Sequence, residues 1–162
     1  MRLRCASSLA PPRIQLHDST PPDLKALASI LFHTAGVRRR RSIPGGEIFF
    51  RAAACTGALY EIERYLVCGP LPGLEAGLYH FSATEFALCK LRSGDLRGVL
   101  ASASAHESSV NHAPVTMVCT GTYWRNAWKY QERTYRHFFG DNGTLLANLL
   151  AMATPFAFPR AW

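Results

Sequence analysis

The chain has 162 residues, 48% hydrophobic and 18% charged, which supplies enough apolar material for one domain with a buried core and argues against disorder. Lys and Arg number 18 against 11 Asp and Glu, a net charge of +7 that favours anionic partners such as nucleic acid, acidic membrane or a phosphorylated cofactor. Five cysteines, odd in number and without a C-x-x-C pair, argue against a disulfide framework or a zinc site. No apolar run is long enough to span a bilayer and the N-terminal apolar patch is too short for a signal peptide, so a cytoplasmic protein is expected.

In chain order, residues 1–19 show no period and read as an irregular arm. Thr20, Pro21, Pro22 and Asp23 then resemble a helix start, with a capping hydroxyl, prolines in the first turn and a carboxylate on the positive end of the dipole. Leu24, Leu27, Ile30 and Leu31 follow at helical spacing, predicting an amphipathic helix over 21–34 that Gly36 ends. Arg38 to Gly46 reads as a basic loop, either solvated or clamping a phosphate. Arg51 to Ala58 is a run of small residues that either begins a helix or lines a close backbone approach, with Gly57 admitting a flat ligand.

Tyr60 to Cys68 reads as a strand stopped by Gly69-Pro70. Gly77 to Phe81 and Phe86 to Leu91 read as a paired hairpin, and Ser93-Gly94-Asp95 opens a helix through about Ala103. Pro114 to Thr120 has the apolar, β-branched character of a central strand buried on both faces. Trp124 to Phe139 reads as a helix, broken by Asp141-Asn142-Gly143 and followed by a second helix, Thr144 to Met152, apolar all round and therefore buried or at a subunit interface.

Common catalytic signatures are missing: H-E-x-x-H, a P-loop, G-x-G-x-x-G and G-x-S-x-G do not occur, and the six histidines lack ligand spacing, so no metal site is expected. What remains is the mixture Trp124, Arg125, Trp128, Lys129, Tyr130, Arg133, Tyr135 and Arg136. Aromatic faces among cations can stack on single-stranded nucleic acid. They also suit a helix beside a flavin, and the tryptophans can equally be core.

Taken in order, RAAACTGALYEIE, GLYHF, LRSGDLR, APVTMVCT, YWRNAWKYQERTYRHFF and DNGTLLANLL resemble the SagB-type dehydrogenases of the nitroreductase superfamily, a group that includes the azoline-forming oxidases of peptide maturation. The resemblance covers most of residues 24–153. It implies an α+β fold with a central, mostly antiparallel sheet flanked by helices, a homodimer, and FMN at the subunit interface. By the same resemblance, Arg51, Cys55, Thr56, Gly57, Ala58 and Leu59 contact the cofactor, with Ala54 and Cys55 standing where Pro and Ser are usual, and Asn148 and Gly143 lie near the flavin or the dimer seam. Lys129-Tyr130 matches a Lys-Tyr pair linked to catalysis: oxidising an azoline requires a proton to leave carbon while hydride goes to the flavin, and a lysine beside a tyrosine hydroxyl can take that proton.

Family members continue beyond the equivalent of Ala153, and many carry a phosphate-binding Arg-Arg-Ser-x-Arg before the first helix. The expected organisation is therefore an arm at 1–19, a partial nitroreductase-like domain at 20–154, incomplete at its C-terminus, and an unrelated tail at 155–162. The expected partners are a second copy, a small-molecule or peptide substrate and a peptide-maturation complex, with no membrane. The competing class is a non-catalytic relative or basic module that docks a peptide, nucleic acid or partner enzyme, nucleic acid being the less expected.

Overall fold

The computed structural model describes residues 21–153; the arm at 1–19 and the tail at 155–162 lie outside the described residues. Helix α1 (Leu24–Ala35) opens at Asp23, whose carboxylate accepts the Ala26 N–H at 2.7 Å, so the cap is this carboxylate, and Pro21 and Pro22 precede the helix instead of occupying its first turn. Leu27, Ile30 and Leu31 are buried at the predicted spacing. The chain then forms a hairpin where a basic loop was expected, β1 (Val37–Ile43) against β2 (Gly46–Arg51), turning at Gly45 with φ 89°. Four consecutive arginines conceal the alternation of β1. Each of Arg39 and Arg40 sits over the ring of its cross-strand partner, Phe50 at 4.4 Å and Phe49 at 5.4 Å, so aromatic faces hold the cations in the strand.

A second sheet is antiparallel throughout, in the order β5-β4-β3-β6. Its strands are β3 (Ile62–Cys68), β4 (Gly77–Ser82), β5 (Ala87–Ser93) and β6 (Val115–Gly121), the last being an edge strand of intermediate burial and not the central strand expected. The short apolar run of β6 fits a half-covered edge as well as a buried centre, and composition does not separate the two. Helices α2 (Arg97–Ala103) and α3 (Ser108–His112) join β5 to β6; α2 starts later than predicted because Asp95 turns back to the Arg97 N–H and guanidinium.

Helix α4 (Tyr123–Tyr130) ends at Gln131, which has φ 48°, and a 3₁₀ turn leads into α5 (Thr134–Ala153). The predicted break is thus displaced, and Asp141-Asn142-Gly143 lies inside a continuous 20-residue helix. A glycine in a helix costs only about 1 kcal/mol against alanine. Here tertiary bonds fasten the segment, since Asp141 accepts from Thr56 and Thr144 Oγ1 donates to Ala54 O at 2.8 Å.

The core joins Leu27 and Leu31 of α1, Leu66 and Cys68 of β3, Phe81 of β4 and Leu145 of α5, which places α1 and α5 together against the sheet. The fold is α+β with antiparallel sheets flanked by helices, as expected. Among the described residues of α5 only Thr134 and Leu145 are buried, so this helix is not buried all round. No helix of the described residues is long and apolar enough to cross a membrane.

Candidate functional site

The segment between β2 and β3 is a strained turn pinned from two sides. Gly57, Ala58 and Tyr60 all have left-handed backbone, with φ of 63°, 55° and 50°, a conformation costing about 1–2 kcal/mol for a residue with a side chain. The Ala52 N–H donates to Gly36 O at 2.9 Å and the Arg51 N–H to Tyr60 Oη at 2.9 Å, which fixes the end of β2. From α5, Asp141 accepts the Thr56 N–H and the Thr56 hydroxyl, both at 2.9 Å, and lies 3.2 Å from Cys55 Sγ. The polar side chains of Cys55 and Thr56 therefore face inward to α5.

On the other side of the turn, α4 arrives. A Cβ placed on Gly57 would lie 2.6 Å from Tyr130 Oη and 3.1 Å from Lys129 Nζ, so Gly57 together with Lys129 and Tyr130, far apart in sequence, share one small space. Tyr130 packs edge-on to His137 with ring centroids 4.6 Å apart, and Lys129 Nζ lies 5.3 Å from the Tyr130 ring and is exposed. Asn126, wholly buried, fastens the α4–α5 junction by accepting from Thr134 Oγ1 at 3.1 Å and contacting His137 Nδ1 at 3.2 Å. Ala58 and Leu59 flank the turn half-buried. Asn148 lies about two turns of α5 beyond Asp141, and no hydrogen bond joins it to the turn among the described residues.

Two charged groups here, Arg64 and Glu63, were not singled out from the sequence. Arg51 and Arg64 border a small cavity with Cys55 and Asp141, and burial lowers both guanidiniums, Arg64 to about 10 with Arg51 adding to the shift. Arg51 Nε and Nη1 and Arg64 Nε are buried without partners. Glu63 lies 3.0 Å from His80 Nε2 and accepts from Arg125; burial alone would raise its carboxyl, but these two neighbours hold it below the usual carboxylate range. Trp124 and Trp128 are each 71% exposed, so neither is core. A separate open groove of about 240 Å³ is bordered by Phe32, Arg38, Arg39, Arg40, Thr84 and Phe86.

Replacing Gly57 with alanine sets a side chain against Tyr130 Oη in a left-handed conformation. A loss of about 1–2 kcal/mol, or about 2–8 °C in Tm, is expected by thermal melting. Gly143→Ala meets no atom within 4 Å and lies in α5, so it is expected to gain about 0.5–1 kcal/mol. Equal losses for both variants would contradict this account.

No protein-family model matches the chain. A provisionally assigned nitroreductase of Methanocaldococcus jannaschii is 26% identical over 136 residues, covering 84% of this chain and 65% of that protein. The crystal structure of a provisionally assigned nitroreductase of Anabaena variabilis matches with TM-score 0.77 and 29% identity, over 82% of this chain and 27% of that one. The fold is nitroreductase-like. A similarly named structure from Ralstonia eutropha matches with TM-score 0.64 and 26% identity, over 84% of this nitroreductase-like chain and 57% of the other. A chain in the E. coli microcin synthetase McbBCD complex with truncated pro-MccB17 bound matches with TM-score 0.67 over 96% of this chain and 60% of that one; at 19% identity the likeness is one of fold alone. The nitroreductase-like chain thus spans less than two thirds of each of these relatives.

Proposed function

We propose that the chain forms the flavin-facing part of an FMN-dependent oxidoreductase of the SagB dehydrogenase type. The supporting observation is the meeting of Gly57 with Tyr130 Oη and Lys129 Nζ in a nitroreductase-like fold. The residues fit one edge of a flavin. Arg51 keeps two buried, unpartnered N–H groups suited to a carbonyl or phosphate oxygen, and the Gly57 backbone is exposed. The cavity beside the turn is only about 20 Å³, far below the roughly 300–1,000 Å³ of a ligand pocket, so a ring fits only on the open face of Thr56 to Leu59.

On this reading Arg51 and the backbone of Cys55, Thr56, Gly57, Ala58 and Leu59 hold the cofactor, with Asn148 a further polar contact from α5. FMN, when bound, supplies the hydride acceptor. Lys129 removes the proton from the substrate carbon, and the Tyr130 hydroxyl, held in place by His137, orients the donor. Because Lys129 is exposed, substrate or a second copy must exclude water from it. The bared Trp124, Trp128, Tyr135 and Phe139 are the face on which a homodimer would close. The solved complex that shares this fold contains a truncated pro-MccB17, which makes a peptide, and within it an azoline, the substrate class to try first.

Titration with FMN, followed by quenching of flavin fluorescence, is expected to saturate at one flavin per chain and to weaken in Arg51→Ala. Protein that neither quenches nor is stabilised by FMN overturns the proposal. One observation favours a second reading, a non-catalytic basic module: Arg38, Arg39 and Arg40 border the 240 Å³ groove and make no ion pair among the described residues. Binding of an acidic peptide at that groove by protein that ignores FMN would support it.

A further inference from the structure

Beside the turn lies a cluster of side chains that the flavin reading, which takes only the backbone of Cys55, does not use. Cys55 Sγ is 3.2 Å from Glu61 Oε2 and 3.2 Å from Asp141 Oδ2, and one ligand atom from each of the three residues lies within 4.8 Å of the others. A thiol has one proton and can satisfy only one of two carboxylates. The sulfur also accepts the Tyr60 N–H at 3.0 Å, an arrangement that favours negative charge on it. Burial and the neighbouring carboxylates push the Cys55 thiol far up, and burial together with Asp141 raises Glu61. Asp141 is held low, against its own burial, by the neighbouring Glu61, Thr56 and Cys55. Without a cation one thiol proton lies between two carboxylate oxygens.

A second observation is independent of this crowding. The Glu61 side chain is 0% exposed, aims its carboxylate at the sulfur, and leaves Oε1 without any hydrogen-bond partner. A buried acid with an orphaned oxygen is destabilising unless something satisfies it. The cavity bordered by Cys55 and Asp141, about 20 Å³, is the size of a single bound water.

We propose that Cys55, Glu61 and Asp141 form a site for one zinc-class divalent transition-metal ion, with three protein ligands and a fourth position open to water. The geometry is close to what such an ion needs. Tetrahedral bonds of about 2.3 Å to sulfur and about 2.0 Å to oxygen set the two ligand atoms about 3.5 Å apart, so the observed 3.2 Å contacts need open only by a few tenths of an ångström. A thiolate among carboxylates selects zinc or cobalt over magnesium or calcium, which take oxygen ligands alone. The remaining negative charge is also offset. Three ionised ligands leave a divalent site one charge negative, and Arg51 and Arg64 border the same cavity with unpartnered N–H groups. Thr56 orients Asp141 through both its N–H and its hydroxyl, as outer-sphere donors do in metal sites. Binding releases the thiol proton. The inference does not rest on the flavin reading.

The test is a titration of the full chain, stripped with chelator, with Co²⁺, following the near-ultraviolet thiolate-to-cobalt charge-transfer absorption and its displacement by Zn²⁺. The expected result is a band saturating at one cobalt per chain, lost in Cys55→Ser and retained in Cys89→Ser, which alters an exposed thiol. Glu61→Gln, which preserves shape, is expected to weaken binding by about 10- to 100-fold and so tests the site even if Cys55→Ser fails to fold. Absence of the band, its survival in Cys55→Ser, or cobalt affinity unchanged in Glu61→Gln would each overturn the proposal.

Discussion

Turnover by the flavin-loaded protein is expected to fall by about 10²–10⁴ in Lys129→Ala, with flavin affinity unchanged, if this lysine is the general base of the proposed reaction. Lys129 is exposed and makes no ion pair among the described residues, so removing it costs only an exposed contact with the Tyr130 ring and its loss should register in chemistry more than in folding. Its Nζ lies 3.1 Å from where a Gly57 Cβ would be. Lys129→Arg keeps the positive charge but cannot give up its proton, so it should not rescue the rate. Single-turnover reduction of the flavin, read alongside thermal melting, checks both parts. Unchanged turnover removes Lys129 from the mechanism, and a rate loss matched by loss of flavin would make it a binding residue.

The largest effect on stability is expected at Phe81. It is 2% exposed on the interior strand β4, meets the Phe86 ring edge-on at 5.9 Å, and has the Arg64 guanidinium 5.7 Å from its ring. Phe81→Ala opens a cavity and leaves a buried cation without its aromatic partner, for a loss of about 3–5 kcal/mol, or about 6–20 °C in Tm. Val99→Ala, at a side chain 66% exposed, should stay within about 0.5 kcal/mol. Urea unfolding with an unchanged slope would measure both. A Phe81→Ala loss below about 1 kcal/mol would mean that the core is not centred where the packing indicates.

The sequence was informative where a local pattern has one physical solution. Leu27, Ile30 and Leu31 at helical spacing have to face a core, and the Gly69-Pro70 pair has to stop a strand, so α1 and β3 were legible. Patterns with two solutions were not. Four arginines read as a solvated loop until Phe49 and Phe50 come across the hairpin to cover them, and the apolar run of β6 does not say whether its strand is central or at an edge. The displaced helix break has the same cause, since the glycines of α5 permit a turn but Thr56 and Ala54 hold that segment helical.

By itself, then, the sequence determined the order of most elements, and through its resemblance to the nitroreductase superfamily it implied the α+β class and singled out two stretches, Arg51 to Leu59 and Lys129-Tyr130. Only the tertiary structure decided that Gly57 meets Tyr130, and that Cys55 points at Glu61 and Asp141 instead of outward. Cys55 and Asp141 are 86 positions apart, and neither a metal-ligand spacing nor a buried acid can be read across such a distance. Local order follows from periodicity and turn chemistry, which act over a few residues, whereas a site assembled from a turn, a strand and a distant helix exists only once packing has closed the chain on itself.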